Sequence, residues 1–182
     1  NTPILKYTWT TGNFAFVDVE TTGGTAGDDR ITEIAIITVD DGVVELWSSL
    51  VDPDCDIPPS IQSLTGITND MARAAPAFRS IADTVAEKLH GRLFVAHNAR
   101  FDYGFVRQEL KRAGIDYSTR PLCTVRLSRA LFPSYRGFSL DNLIKRFELT
   151  IAQRHRALPD APALVDLMGI YAKLFAAEQL DS

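Results

Sequence analysis

Residues 14–22 read Phe-Ala-Phe-Val-Asp-Val-Glu-Thr-Thr, and this stretch decides the fold prediction. Its first six residues, Phe14–Val19, are apolar, aromatic or β-branched, a pattern typical of a buried strand. Asp18 and Glu20 are two residues apart, so on a strand their side chains lie on the same face. At the carboxyl end of a central strand, both would open into the crevice in which α/β sheets bind ligands.

Further strands and helices are predicted on either side of this stretch. Ile31–Val39 and Val43–Val51 read as strands joined by an Asp-Asp-Gly turn, so the first three strands form an antiparallel meander. Leu93–His97 and Pro121–Thr124 are the fourth and fifth strands, and they alternate with helices. Helices are predicted at Ser60–Leu64, Asn69–Ala74, Phe78–Leu89, Phe101–Ala113, Val125–Leu131, from the Ser139 cap to Phe147, and at Ala157–Ala177. The prediction is an α/β fold with a mixed five-stranded sheet, in which the meander is followed by two parallel strands and flanked by helices.

Composition limits the number of domains and the ways in which the chain could bind nucleic acid. The 182 residues, 46% of them hydrophobic, are expected to form a single domain with its core at about residues 14–177. Nineteen basic residues against 23 acidic ones give a net charge of −4, which argues against nucleic-acid binding by bulk charge. It does not exclude an enzyme that acts on a strand end through metal ions, which are then the largest local charges.

The expected location is the cytoplasm, without a membrane. The sequence shows neither an apolar stretch of about 18 residues nor a secretory signal. Cys55 and Cys123 match no metal-binding or disulfide pattern, so we expect two buried or half-buried free thiols in a reducing compartment.

The candidate site draws on five segments, Asp18–Glu20, Ser63–Thr68, His97–Asp102, Ser139–Asp141 and His155–Asp160. The acids also have ordinary structural interpretations, and two acids at a strand end, such as Asp18 and Glu20, are usually solvated loop residues. His97 and Asn98 end the fourth strand, and Asp102 follows in the first turn of a helix, where an aspartate is commonly a partner of the helix dipole. His155 and Asp160 are five residues apart, and they could equally be a surface histidine and a helix-start acid. Together, four acids and one histidine are what a two-metal phosphodiesterase needs. Their hard oxygen ligands suit Mg²⁺ or Mn²⁺.

With these residues in view, the chain resembles the DEDDh 3′–5′ exonucleases, and most closely the branch of the proofreading epsilon subunit of bacterial DNA polymerase III. Phe16–Gly23 matches the first motif of that family, His97–Asp102 the second, and His155–Ala161 the third, with the histidine five residues before the aspartate. The turn at Leu64–Ile67, Cys123-Thr124, Phe132-Pro133 and Ser139-Leu140 also resemble the family, so that the match runs from about Phe14 to Phe175. Pro159 and Pro162 depart from the pattern, although proline is tolerated in the first turn of a helix.

The resemblance implies a ribonuclease H-like fold and a role for each residue. Asp18 would bridge two Mg²⁺ or Mn²⁺ ions, Glu20 and Asp160 would complete the first metal site, and Asp102 would support the second. His155 would take a proton from the attacking water, and a nucleoside 5′-monophosphate would leave. The residues expected around the terminal nucleotide are Thr21, Thr22, Leu64, Thr65, His97, Asn98 and Phe101.

The expected substrate is a single-stranded DNA 3′ end, in proofreading or repair, with a DNA polymerase subunit as a possible partner. One alternative is an RNA 3′-trimming exoribonuclease of the same family, which differs in how the site treats the 2′-hydroxyl. Another is a non-catalytic nucleic-acid-binding domain. Arg100, Arg154 and Arg156 flank the second and third motifs and are the candidate phosphate contacts, unless they are simply solvated.

Overall fold

The computed structural model describes residues 5–6, 12–147 and 162–171. Their strands form a mixed sheet of six strands in the order β1-β4-β3-β2-β5-β6. The strands are β1 Leu5–Lys6, β2 Asn13–Thr21, β3 Ile31–Asp40, β4 Val43–Leu50, β5 Leu93–Ala96 and β6 Leu122–Cys123. The helices are α1 Pro59–Thr65, α2 Asn69–Arg73, α3 Phe78–Leu89, α4 Ala99–Arg112, α5 Thr124–Leu131, α6 Leu140–Arg146 and α7, residues 162–171.

The five predicted strands and their directions are confirmed. Strands β2, β3 and β4 form the antiparallel meander, while β5 pairs parallel with β2 and β6 parallel with β5. The sheet has one strand more than predicted, because β1 pairs antiparallel with β4 through Leu5 and Lys6. A two-residue strand is too short to show the side-chain alternation by which a strand is predicted from sequence.

The meander depends on a tight turn and a deeply buried central strand. Asp41 and Gly42 both have positive φ, 47° and 84°, the backbone that two-residue hairpin turns require. Between this hairpin and the other end of β3, residues 31–39 are buried throughout, as expected of a strand covered on both faces. The pairing of β2 with β3 shifts between Glu20 and Thr21. This bulge lies at the end of β2 that carries the predicted acids.

Alternation along β2 divides the core into two layers. Ala15, Val17 and Val19 pack in a cluster with α3 and α4 on one face of the sheet. Phe16 packs on the other face with side chains of α6 and α7. Because Asp18 and Glu20 have the parity of Phe16, they belong to the α6–α7 face.

Most helix boundaries agree with prediction, with one difference that affects the site. Strand β5 ends at Ala96 and α4 begins at Ala99, two residues earlier than predicted. Asn98 lies between them with φ 66° and ψ 57°, a left-handed backbone that asparagine tolerates better than most residues. Only residues 162–171 of the predicted last helix are described, and their buried apolar side chains include the predicted Leu164, Leu167, Met168 and Tyr171.

Two other expectations can be compared with the described residues. Cys55 and Cys123 are both free, but Cys55 is exposed, not buried or half-buried as predicted. It lies in the irregular segment between β4 and α1. Within the described ranges, no helix has both the length and the hydrophobicity to cross a bilayer.

Candidate active site

The carboxyl end of β2 carries the first two predicted acids. Strand β2 lies between β3 and β5, and Asp18 and Glu20 are both half-buried at its end. Val19, between them, is buried on the opposite face. The prediction that the two carboxylates share one face is therefore confirmed by the strand geometry.

Asp102 reaches the same end of β2 from the neighbouring helix. It lies in the first turn of α4, is only 3% exposed, and its Oδ1 accepts a hydrogen bond of 3.2 Å from the backbone N–H of Val19. The donor belongs to the peptide that joins Asp18 to Val19. This contact brings the second motif to the first, and the positive end of the α4 dipole favours a carboxylate there.

The third motif, with His155 and Asp160, lies outside the described residues, so the placement of both stays a prediction. The described part of α7 begins two residues after Asp160. It packs its Ala163 and Leu164 in the cluster that contains Phe16, and Phe16 shares its face of β2 with Asp18 and Glu20. The helix that follows the third motif therefore covers the face on which the first motif lies.

The carboxylate oxygens at this end of the sheet are suitable ligands for a hard divalent cation. Asp18, Glu20 and Asp102 offer only oxygen, the ligand that Mg²⁺ and Mn²⁺ prefer. Among the described residues, however, no three His, Cys, Asp or Glu side chains form a group able to hold a metal ion on their own. A complete metal site would therefore need a further ligand, and Asp160 is the predicted one.

The hydroxyls of Thr21 and Thr22 are used inside the protein. Both residues are buried, and Thr21 Oγ1 donates to Gly23 O at 2.6 Å. Thr22 Oγ1 donates to Asp29 Oδ1 at 3.2 Å and accepts from Arg30 N at 3.0 Å. Their side chains hold the shape of the loop at residues 22–30, and the predicted place of both residues around the terminal nucleotide stays a prediction.

Leu64 and Thr65 at the end of α1, also predicted near the terminal nucleotide, differ from each other in exposure. The Thr65 hydroxyl donates to Ile61 O at 2.9 Å and accepts from Ile67 N at 3.2 Å, and the residue is 2% exposed. Leu64 is 52% exposed. Of this pair, only the Leu64 side chain is available to an apolar partner such as a base.

Phe101 is half-buried and packs on Phe105, with ring centroids 4.8 Å apart. The Phe105 ring is in the core cluster under α4, so it fixes the orientation of Phe101 from below. The part of Phe101 that remains accessible is an apolar ring edge or face, suited to the predicted wedge against a terminal base.

His97 has a structural role that the sequence did not predict. Its Nε2 lies 2.8 Å from Phe138 O, and its Nδ1 lies 2.8 Å from Thr124 Oγ1. A carbonyl oxygen can only accept, so Nε2 carries a proton in the contact with Phe138. The Thr124 hydroxyl also lies 3.3 Å from Ala96 O, to which it donates. The ring thus ties the end of β5 to α5 and to the loop before α6, and both its nitrogens have partners inside the protein.

These elements surround a cleft of about 910 Å³ that Asp18, His97 and Asn98 help to line. The rest of its described wall comes from α4, β6, α5 and the start of α6, and it includes Arg100, Arg126 and Arg129. Glu20, Thr21, Thr22, Leu64, Thr65, Phe101 and Asp102 are not among its described lining residues. The structure therefore places part of the predicted set in one cleft and the rest outside its described wall.

An ion-pair network around a buried carboxylate of α4 holds the loop at residues 22–30. Glu109 on α4 is 2% exposed, and it accepts from Arg30 Nε at 2.6 Å and Arg30 Nη2 at 3.1 Å. Arg112 Nη1 donates to Glu109 Oε1 at 2.8 Å, and its Nη2 donates to Gly27 O at 3.0 Å. Hydrogen bonding to Glu109 raises the pKa of the Arg30 guanidinium. The sequence offered one signal of this network, the i, i+3 spacing of Glu109 and Arg112, but none of the partner 79 residues away.

Comparison with known proteins defines the family. A family model described as an exonuclease, RNase_T, matches residues 15–168. The 3′-5′ exonuclease DinG of Bacillus subtilis (strain 168) is 40% identical over 151 residues, which is 81% of this chain and 16% of the relative. DinG of Staphylococcus aureus (strain MRSA252) is 32% identical over 171 residues, 93% of this chain and 19% of the relative. The chain thus spans less than a fifth of these relatives.

Solved structures show the same fold. E. coli exonuclease I in complex with a dT13 oligonucleotide superposes with a TM-score of 0.79 at 22% identity, covering 92% of this chain and 43% of that one. The zinc-bound complex of E. coli exonuclease I with single-stranded DNA gives a TM-score of 0.78 at 23% identity, covering 87% and 40% of the two chains. The predicted ribonuclease H-like fold is therefore confirmed.

The fold, the acids at the end of β2 and the family match place this chain in a defined class. It belongs to the DEDD-type 3′–5′ exonuclease family, as the resemblance predicted. The curated relatives reported above are DinG exonucleases, so the narrower likeness to the polymerase epsilon subunit stays a prediction.

Proposed function

We propose that this chain is a hydrolase that removes nucleotides one at a time from the 3′ end of single-stranded DNA, using two Mg²⁺ or Mn²⁺ ions. The observation that carries the proposal is the hydrogen bond from Val19 N to Asp102, which joins the acids of two separate motifs at one strand end. The names of the DinG relatives and the oligonucleotide in the exonuclease I complex support the direction and the substrate.

In this proposal, Asp18, Glu20, Asp102 and Asp160 hold the cations. When bound, a pair of divalent ions supplies an activated water and stabilises the charge on the leaving oxygen. His155 takes the proton of the attacking water on a ring nitrogen, which requires a neutral imidazole at the working pH. The water oxygen then bonds to the last phosphorus, the bond from that phosphorus to the preceding 3′ oxygen breaks, and this oxygen takes a proton from solvent. The products are a nucleoside 5′-monophosphate and a strand one nucleotide shorter with a free 3′-hydroxyl.

The chain's own residues would position the terminal nucleotide. Leu64 presents an exposed apolar side chain and Phe101 an anchored ring, and unstacked bases pack well on such surfaces. Asn98 is exposed at the edge of the cleft. The threonine hydroxyls of the first motif are engaged in the loop, so polar contacts there would come from backbone groups. Within this proposal the finer roles, proofreading or repair with a polymerase partner, remain predictions from the resemblance.

The test follows the shortening of 5′-labelled dT12 and of the matched ribonucleotide, and separates the unlabelled nucleotides released by chromatography, with Mg²⁺, Mn²⁺ or EDTA. We expect mononucleotides from the DNA strand, no product in EDTA and a block by a 3′-phosphate. His155→Ala should lose most turnover but keep metal-dependent binding of the strand, whereas Asp18→Ala should lose both.

Each alternative predicts a different pattern. Preference for the ribonucleotide would indicate an exoribonuclease, and cutting of a circular single strand would indicate an endonuclease. Binding of the strand without cleavage under any metal condition would indicate a non-catalytic domain. Parent-level turnover by His155→Ala would contradict the role given to that histidine.

A further inference from the structure

One wall of the cleft beside Asp18 is lined with guanidinium groups. Arg126 and Arg129 are three residues apart on α5, so they share one face of that helix, and Arg100 faces the same cleft from the first turn of α4. All three are exposed. Within the described part of the chain, none of the three takes part in an ion pair.

Three other arginines of the fold are instead bound to acidic side chains. Arg30, Arg92 and Arg112 are held by Glu109 or Asp40 at 3.1 Å or less. In a chain with a net charge of −4, three cations around one concave surface, with no ion-pair partner among the described residues, set up a local positive field. Such a surface attracts an anion along its length, even though the whole protein does not.

The wall is also held at a fixed position relative to the acids. The opposite side of α5 is buried, since Thr124 and Ser128 are both fully enclosed. Thr124 Oγ1 contacts His97 Nδ1 at 2.8 Å, and His97 follows β5, the strand next to β2. The arginine face of α5 is therefore anchored to the strand end from which the site is built. Anchoring of this kind lowers the entropy that would be lost on binding.

We propose that Arg126 and Arg129, with Arg100, form the binding surface for the phosphate backbone of the single strand upstream of its 3′ end. This inference rests on the proposed function, because it assumes that the 3′ end lies at Asp18. A positively charged groove that follows the backbone is how proteins hold single strands without reading their sequence. The surface would therefore provide affinity and length dependence without base preference.

The test compares the parent with Arg126→Ala/Arg129→Ala, and with Arg79→Ala as the matched control. Arg79 is an exposed arginine on α3 that lines a different cavity, of about 360 Å³. Binding of 5′-fluorescein-dT12 is followed by anisotropy in Ca²⁺ over a series of salt concentrations. Each phosphate contact on a single strand contributes about 0.7 to the log–log salt slope, so the double variant should flatten it by about 1.4. At low salt its binding should weaken by at least about tenfold.

Further measurements separate this inference from the proposed function. Arg126→Lys/Arg129→Lys should restore most of the slope, because both charges return. In Mg²⁺, the ratio of kcat/KM for dT12 to that for dT2 should fall in the double alanine variant and not in Arg79→Ala. Circular dichroism checks that each variant is folded, and the single variants should each show about half the slope change.

The outcomes are distinguishable. If the parent cleaves neither dT2 nor dT12, the proposed function fails. If the parent cleaves both, but the double variant binds dT12 with the parent's slope, the arginine surface is wrong. An equal loss in Arg79→Ala would also overturn it, because the effect would then be one of overall charge.

Discussion

Replacing Glu109 by alanine should lower the free energy of unfolding by more than the loss of an exposed ion pair would. The carboxylate is 2% exposed and receives three hydrogen bonds from Arg30 and Arg112. Breaking a buried ion pair by removing one partner costs about 3–5 kcal/mol. Both arginine side chains are 28% exposed and can turn towards water, so we expect the lower limit, about 3 kcal/mol.

The assay is thermal unfolding followed by circular dichroism. For a chain of this size each kcal/mol lowers Tm by about 2–4 °C, so Glu109→Ala should lose about 6–12 °C. Glu109→Gln keeps the shape and one acceptor oxygen, and should lose about half as much. A double-mutant cycle with Arg112→Ala should show a coupling of about 1 kcal/mol or more. Hydrogen exchange of the backbone amides in residues 22–29 should rise, because Arg112 no longer holds the Gly27 carbonyl.

A small effect would refute this reasoning. If Glu109→Ala melts within about 2 °C of the parent, the network contributes little net free energy, and its desolvation cancels its attraction. If stability falls but exchange at residues 22–29 does not change, the network stabilises α4 without holding the loop.

Two further predictions concern single side chains. Burial, with a smaller contribution from Tyr103, raises the pKa of Tyr117 from 10.0 to about 12. The unfolded chain therefore loses this proton first, and stability should fall as the pH rises from about 10 to 12; Tyr117→Phe should reduce that fall in urea titrations at several pH values. The buried Tyr117 hydroxyl has no hydrogen-bond partner among the described residues. Tyr117→Phe should therefore be at least as stable as the parent at neutral pH, and a clear loss of stability there would contradict the placement of this side chain. His97→Ala removes the ties to Thr124 and Phe138, so it should cost about 1–3 kcal/mol and speed hydrogen exchange in α5; unchanged exchange would show that the ring does not anchor that helix.

The local patterns predicted much of the fold, because their causes are local. Strand β2 follows from its apolar, β-branched residues, and the shared face of Asp18 and Glu20 follows from strand alternation alone. The start of α4 was placed two residues late because Asn98 adopts a left-handed backbone between β5 and the helix. An asparagine at this position allows a left-handed backbone but does not require it.

What the sequence could not show at the site are the long-range hydrogen-bond partners. His97 is predicted at the terminal nucleotide and lines the cleft with Asp18. Thr124 and Phe138, 27 and 41 residues away, are the partners of its two ring nitrogens. The hydroxyl of Thr22 is likewise taken by Asp29 and Arg30, once the loop folds back on itself. In each case the sequence shows the type of residue, but only the fold shows its hydrogen-bond partner.

The bond between Asp102 and Val19 has a consequence for the design of inactive controls. Asp102→Ala would remove a proposed metal ligand, and it would also leave a buried backbone N–H of β2 without its acceptor, at a cost of about 1–3 kcal/mol. An inactive alanine variant could then reflect a loosened strand as much as a missing ligand. Asp102→Asn keeps an oxygen that can accept from Val19 while removing the negative charge. The asparagine form is therefore the cleaner inactive control for complementation or substrate-trapping experiments.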